Sequence, residues 1–198
     1  MNVRLEYQTQ FSAGIVYEGQ YHINHYSMTI NMLTNTLDAY EQNIAFDRIK
    51  HWIHNVANHS VFISQTDRQV EAYQQTGQRV IALPEEPFDQ TIELMLYVKL
   101  ESIIEDRMLI TDIKLSSTLG DEVCYLHNDE ESVGPFGTEG WWTLPTPHWS
   151  VPIKNKKKVV SLPKGTSWDE LELSWGGEKD VVGDSSVVFA DFTANETK

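Results

Sequence analysis

The stretch His22–Leu33 constrains this chain more than any other. Tyr26, Met28, Ile30 and Met32 alternate with His25, Ser27, Thr29 and Asn31. A period of two puts the apolar set on one side of an extended chain, so a strand with one buried and one solvated face is predicted. The apolar face of such a strand must be covered by another layer. The next segment supplies it. Over Thr36–Val56 the period becomes helical: Ala45, Ile49, Trp52, Ile53 and Val56 fall near one face, with Asp47, Arg48, Lys50 and His51 toward the other.

The same two periods organise the rest of the first 128 residues. Val3–Phe11 reads as a strand. Pro84 and Pro87 punctuate the start of a second helix, with Asp89 as its expected cap. Ile92, Met95, Leu96 and Leu100 recur there at three- and four-residue spacing. Met108–Leu115 reads as a strand, Gly120-Asp121 as a turn and Glu122–His127 as the returning strand. The order strand, strand, helix, helix, strand, strand predicts an α+β fold, a four-stranded antiparallel sheet with two helices on one face.

Beyond Asn128 the composition changes. NDEESVGPFGTEG is followed by prolines at 145, 147, 152 and 163 and by five of the six tryptophans. The expected organisation is one domain over residues 1–128 and an irregular, acidic, Pro/Gly- and Trp-rich extension over 129–198. Trp141, Trp142, Trp149, Trp168 and Trp175 are candidates for docking into a protein partner, because indoles are enriched among interface hot spots. The alternative is that they wrap their own subunit. Leu171, Leu173 and Trp175 would share one side of a strand, although Ser167 with Glu170 also fits the capping box of a short helix.

The formal charge is −14, and acids exceed bases both before and after Asn128. Either half would repel a phosphate backbone, so no nucleic-acid partner is expected. The basic run Lys154–Lys158 reads as a solvated turn between two strands. No apolar run is long enough to span a bilayer and no signal-peptide pattern opens the sequence, so neither membrane insertion nor export is expected. The single Cys124 forbids an internal disulfide, and a cytoplasmic setting follows. His51 and His54 lie at i, i+3 without a third ligand and read as surface residues.

Six landmarks recur in a telling order: FSAG at Phe11–Gly14, HINHY at His22–Tyr26, AFDRIK at Ala45–Lys50, NHSVFI at Asn58–Ile63, PFDQ at Pro87–Gln90 and SSTLGDEVCY at Ser116–Tyr125. Their order and spacing resemble the 6-pyruvoyl- and 6-carboxy-tetrahydropterin synthases of the T-fold family, with an insertion around Gln65–Arg79. The resemblance implies a T-fold-like domain. It also implies a zinc site of three histidines, one on the first strand and an HxH pair on the second. Those positions hold Ile15, His22 and Asn24 here, and His25 should point to the opposite face. No zinc or other cofactor is therefore expected. The family's nucleophilic cysteine falls on Glu18, and the aspartate of its acid–base dyad on Asn58, beside a retained His59. The carboxylate that grips the pterin falls on Ser117, before a retained Thr118, and a second family acid on Gln90.

What remains as a ligand-binding set is His22, Asn24, His59, Gln90, Ser117 and Thr118, with His59 the one remnant candidate for catalysis. The expected function is a non-catalytic, T-fold-like binding or assembly protein, a repurposing that suits a virus or mobile element. Because family members form rings, a homo-oligomer is expected. The alternative is a diverged pterin- or purine-type enzyme, or a protein that sequesters such a molecule, with His59 as general base and Gln90 and Thr118 in its grip.

Overall fold

A computed structural model describes residues 3–149 and 167–176; the Lys154–Lys158 run lies outside the described residues. The chain opens with a long hairpin, β1 (Arg4–Tyr17) and β2 (Gln20–Thr34). Its turn residues Glu18 and Gly19 have φ of 50° and 72°, the left-handed pair that a two-residue hairpin turn requires. The alternation read in β2 holds: Tyr26, Met28, Ile30 and Met32 are all buried.

The sheet has six strands and is mixed, in the order β4-β3-β1-β2-β5-β6, not the four antiparallel strands expected. The expected four, β1, β2, β5 (Met108–Ser117) and β6 (Tyr125–Asn128), are consecutive and antiparallel. Two short strands, β3 (Val61–Ser64) and β4 (Val80–Leu83), add to β1 in parallel. VFIS and VIAL are four residues each and almost wholly buried. Strands so short and so buried show no alternation, so periodicity cannot find them. The insertion between them carries α2 (Val70–Gln75), which buries none of its residues.

Three helices therefore replace the expected two. Asp38 caps α1 (Ala39–His51) by accepting the Tyr40 N–H at 2.8 Å. Its continuation Trp52–Ala57 widens into a π-helical turn, closed by Asn58 N–H to Ile53 O at 2.8 Å. Helix α3 (Asp89–Ile104) begins after Phe88, so Asp89 is its first residue and not its cap. The Asp89 carboxylate is engaged elsewhere, accepting from Ser117 Oγ at 2.6 Å. Helices α1 and α3 press Ile49, Trp52, Ile53, Ile92, Met95 and Leu96 onto one face of the sheet.

One expected surface residue lies inside. Arg48 is only 2% exposed, because the C-terminal extension covers it. Phe136, Trp141, Trp142 and Trp168 join the same core as the first 128 residues, and Trp149 and Trp175 pack against it. Residues 129–149 run in 3-10 turns at Gly134–Gly137 and Trp141–Thr143. Lys99 of α3 anchors them, its Nζ donating to the carbonyls of Trp141, Leu144 and Thr146 at 3.2, 2.8 and 2.8 Å. Residues 167–176 form turns, not the strand considered from the pattern.

Candidate functional site

The hairpin register fixes where the metal positions of the resembled family would fall. Ile15 lies opposite His22, and Ala13 opposite Asn24, so all four share the face that carries the helices. The side chains present do not fit zinc. Ile15 offers no donor atom. Asn24 is fully buried, and its Oδ1 already accepts three bonds, from the N–H of His25 and Leu119 at 3.0 Å each and from Thr118 Oγ at 3.1 Å. An amide oxygen saturated in this way fastens β2 to the β5–β6 connection and has no lone pair to spare. Among the described residues, no three His, Cys, Asp or Glu side chains are grouped to hold a metal.

The other remnants are also bonded to the fold. Ser117 is buried; its Oγ donates to Asp89 and accepts the Gly120 N–H at 3.1 Å. Burial pushes the Asp89 carboxyl up, and the Ser117 bond opposes that shift. Asn58 accepts the Ser12 N–H at 3.0 Å through its Oδ1, so it clasps β1 where an aspartate would orient His59. His59 occupies a left-handed turn with φ of 60°, its N–H donating to Ser12 O at 2.6 Å. Its imidazole is exposed, as is Gln90 in the first turn of α3.

Three of the six candidates meet. A cleft of about 720 Å³ opens on the sheet face away from the helices, lined by Ser12, His25, His59, Ser117, Thr118 and Glu122 among others. Asn24 stands behind its wall, bonded to Thr118, while His22 and Gln90 are not among its lining residues. Ser12 and His25, neither of them among the six candidates, face each other across the hairpin with Ser12 Oγ and His25 Nδ1 2.7 Å apart. A signal existed. Counting outward from a two-residue turn at Glu18-Gly19 pairs residue 12 with residue 25. The five extension tryptophans are turned onto their own subunit, with Trp141, Trp142 and Trp168 buried.

A second polar locus lies between α3 and β6. Glu93 is 2% exposed, and its Oε1 is buried with no partner. Burial, reinforced by the Glu131 carboxylate and opposed by the His127 backbone N–H, pushes its carboxyl up to about 8. The His127 ring is pushed down by burial and packs 4.4 Å from Tyr97, centroid to centroid.

No protein-family model matches this chain, and no curated protein matches its sequence. Several solved structures are similar to it, two of them as follows. An uncharacterised protein from Wolinella succinogenes is 10% identical with a TM-score of 0.48, the match covering 65% of this chain and 99% of that one. A 6-pyruvoyl tetrahydropterin synthase from Plasmodium vivax is 12% identical with a TM-score of 0.44, again over 65% and 99%.

Proposed function

We propose that this chain is a non-catalytic assembly component on a T-fold-like scaffold, joining further copies of itself sheet edge to sheet edge. The observation that carries the reading is a pair of strand edges, at one level of the sheet, that are open among the described residues. In β1 the even-numbered residues direct N–H and C=O away from β2. At Ser12 and Gly14 those groups meet Asn58, His59 and Ser60, and β3 pairs only with Gly14–Val16. Glu6, Gln8 and Gln10 face outward below that point. On the opposite edge, the alternation set by Asp129 N–H to Thr111 O turns Leu126 outward from β5. Leu126, Lys114, Thr29 and Gln8 form one row across the sheet. An incoming β6 beside β1 would run antiparallel, continuing the existing alternation. The third edge, that of β4, is occupied at Ala82, whose carbonyl accepts from Trp141 Nε1 at 3.2 Å. Unpaired edges of this kind recruit further strands.

The bonding of Asn24, Asn58 and Ser117 into the fold supports the non-catalytic half of the reading. Native mass spectrometry tests the assembly half. Gln8→Pro with Leu126→Pro removes only N–H groups that point away from each strand's partner. The wild type is expected as a closed oligomer and the double variant as a folded monomer. A monomeric wild type sinks the proposal.

The open Ser12–His25 pair beside His59 favours a second reading, in which the cleft sequesters a small molecule of pterin or purine shape. Thermal shift against pterins and guanine nucleotides tests it. Stabilisation that His25→Ala abolishes would support sequestration.

A further inference from the structure

Residues 167–176 touch the rest of the chain as a bound peptide would. Their backbone hydrogen bonds are internal, Leu171 N–H to Ser167 O at 3.3 Å, Glu172 N–H to Asp169 O at 3.1 Å and Leu173 N–H to Trp168 O at 2.8 Å. Among the described residues no backbone–backbone bond joins them to a strand or helix. Ser167 Oγ accepts the Glu170 N–H at 3.2 Å, which tightens the turn further. The self-bonded turn delivers Trp168 and Trp175, seven positions apart, to one place.

That place is the groove between the last turn of α1 and the end of α3. The Arg48 guanidinium lies 4.7 Å from the Trp168 ring and 3.7 Å from the Trp175 ring, close enough for cation–π attraction to both. Arg48 Nε donates to Leu173 O at 2.8 Å, while Nη1 donates to Ile103 O at 3.0 Å and Glu105 at 2.8 Å. The Arg107 guanidinium packs 4.7 Å from the Trp175 ring, and Trp168 Nε1 donates to Pro145 O at 2.7 Å. Charge contributes too: Arg48 and Arg107 stand in the groove, paired with Glu105 at 2.8 Å and Glu41 at 3.7 Å, and the segment, which has no cation of its own, adds the favourable charge of Asp169 toward Arg48. A segment that, among the described residues, shares no backbone–backbone bond with the body can leave without breaking a helix or sheet ladder. Its tether is generous, because eighteen peptide steps from Trp149 reach up to ~60 Å.

We infer that this groove is a peptide-binding site for an acidic segment carrying two tryptophans seven residues apart. The chain's own Ser167–Gly176 is its resident occupant, and a partner segment of the same chemistry displaces it. The probe is a fluorescein-labelled peptide of residues 165–178, titrated by anisotropy into the full chain and into a full chain carrying Trp168→Ala and Trp175→Ala. The double variant is expected to bind at least tenfold tighter than the wild type, whose resident segment competes. Adding Arg48→Lys, which keeps the charge but loses the planar fork, should weaken that binding at least tenfold. If circular dichroism shows the double variant unfolded, a protease site placed within residues 150–166 of the wild type replaces it. After cleavage the tail fragment should co-elute with the body and exchange for labelled peptide. Three outcomes overturn the inference: no binding to either folded form, binding indifferent to Arg48→Lys, or a body that unfolds once the tail is cut free.

Discussion

Replacing Glu93 by Gln isolates the cost of holding a carboxyl between α3 and β6. In the fold its proton is retained up to about pH 8, against 4.5 for the free side chain. A raised folded value means a contribution fully present below pH 4.5 and lost as pH rises toward 8. Each pH unit in that window is worth about 1.4 kcal/mol, so the interval from pH 5 to pH 8 sets a ceiling of about 4 kcal/mol. Water entering beside the edge strand would lower it, and about 2–4 kcal/mol is expected. Glutamine has the same shape and cannot ionise. Urea denaturation of both proteins at pH 5, 6, 7 and 8 should show a difference within about 1 kcal/mol at pH 5, growing steadily in favour of Glu93→Gln. Glu101, pushed up to about 7, and Lys99, pushed down to about 7, titrate in both proteins and cancel in the difference. A gap that stays constant across the four pH values would refute the reasoning, since it would mean that Glu93 ionises in the fold as it does in water.

Lys99→Met orphans three carbonyls and should cost about 3 kcal/mol at pH 6, with faster proteolysis over residues 141–146. Burial holds this lysine down, so its charged form burdens the fold below pH 7 and the burden lifts toward pH 10. Stability of the Met variant should therefore rise less over that interval than stability of the wild type. Asn24→Ala leaves the N–H groups of His25 and Leu119 and the Thr118 hydroxyl without their shared acceptor. A loss of about 2–3 kcal/mol in chemical denaturation is expected, with faster hydrogen exchange at Leu119. Gly120→Ala would drive a Cβ into the Asp89 carboxylate. It should break the Asp89–Ser117–Gly120 bonds and lower stability by about 2 kcal/mol in the same assay.

Much of the central scaffold was legible because each element has one wet and one dry face. β2 and α1 announce themselves by alternation and by the Ala45–Val56 stripe, and every apolar residue named in those two patterns is buried. β3 and β4 were not legible, since they are buried almost throughout and end before any period can be established. Arg48 was misread for a related reason. On α1 alone it belongs to the polar side; only a segment 125 positions later, whose Leu173 carbonyl it bonds, brings it inside. Of the site, the substituted positions could be read residue by residue, whereas the Ser12–His25 pair needed the hairpin register.

By itself the sequence determined which faces must be dry, where β2 and the two long helices run, and that Ile15 offers no donor to a metal. Those properties are local, set by side-chain polarity and backbone period. Only the tertiary structure decided that Asn24, Asn58 and Ser117 spend their polar atoms on the fold, that the tryptophans close over their own subunit and that, among the described residues, the edges of β1 and β6 stand open. Each of these depends on which distant groups arrive within hydrogen-bonding reach, and no local period records that.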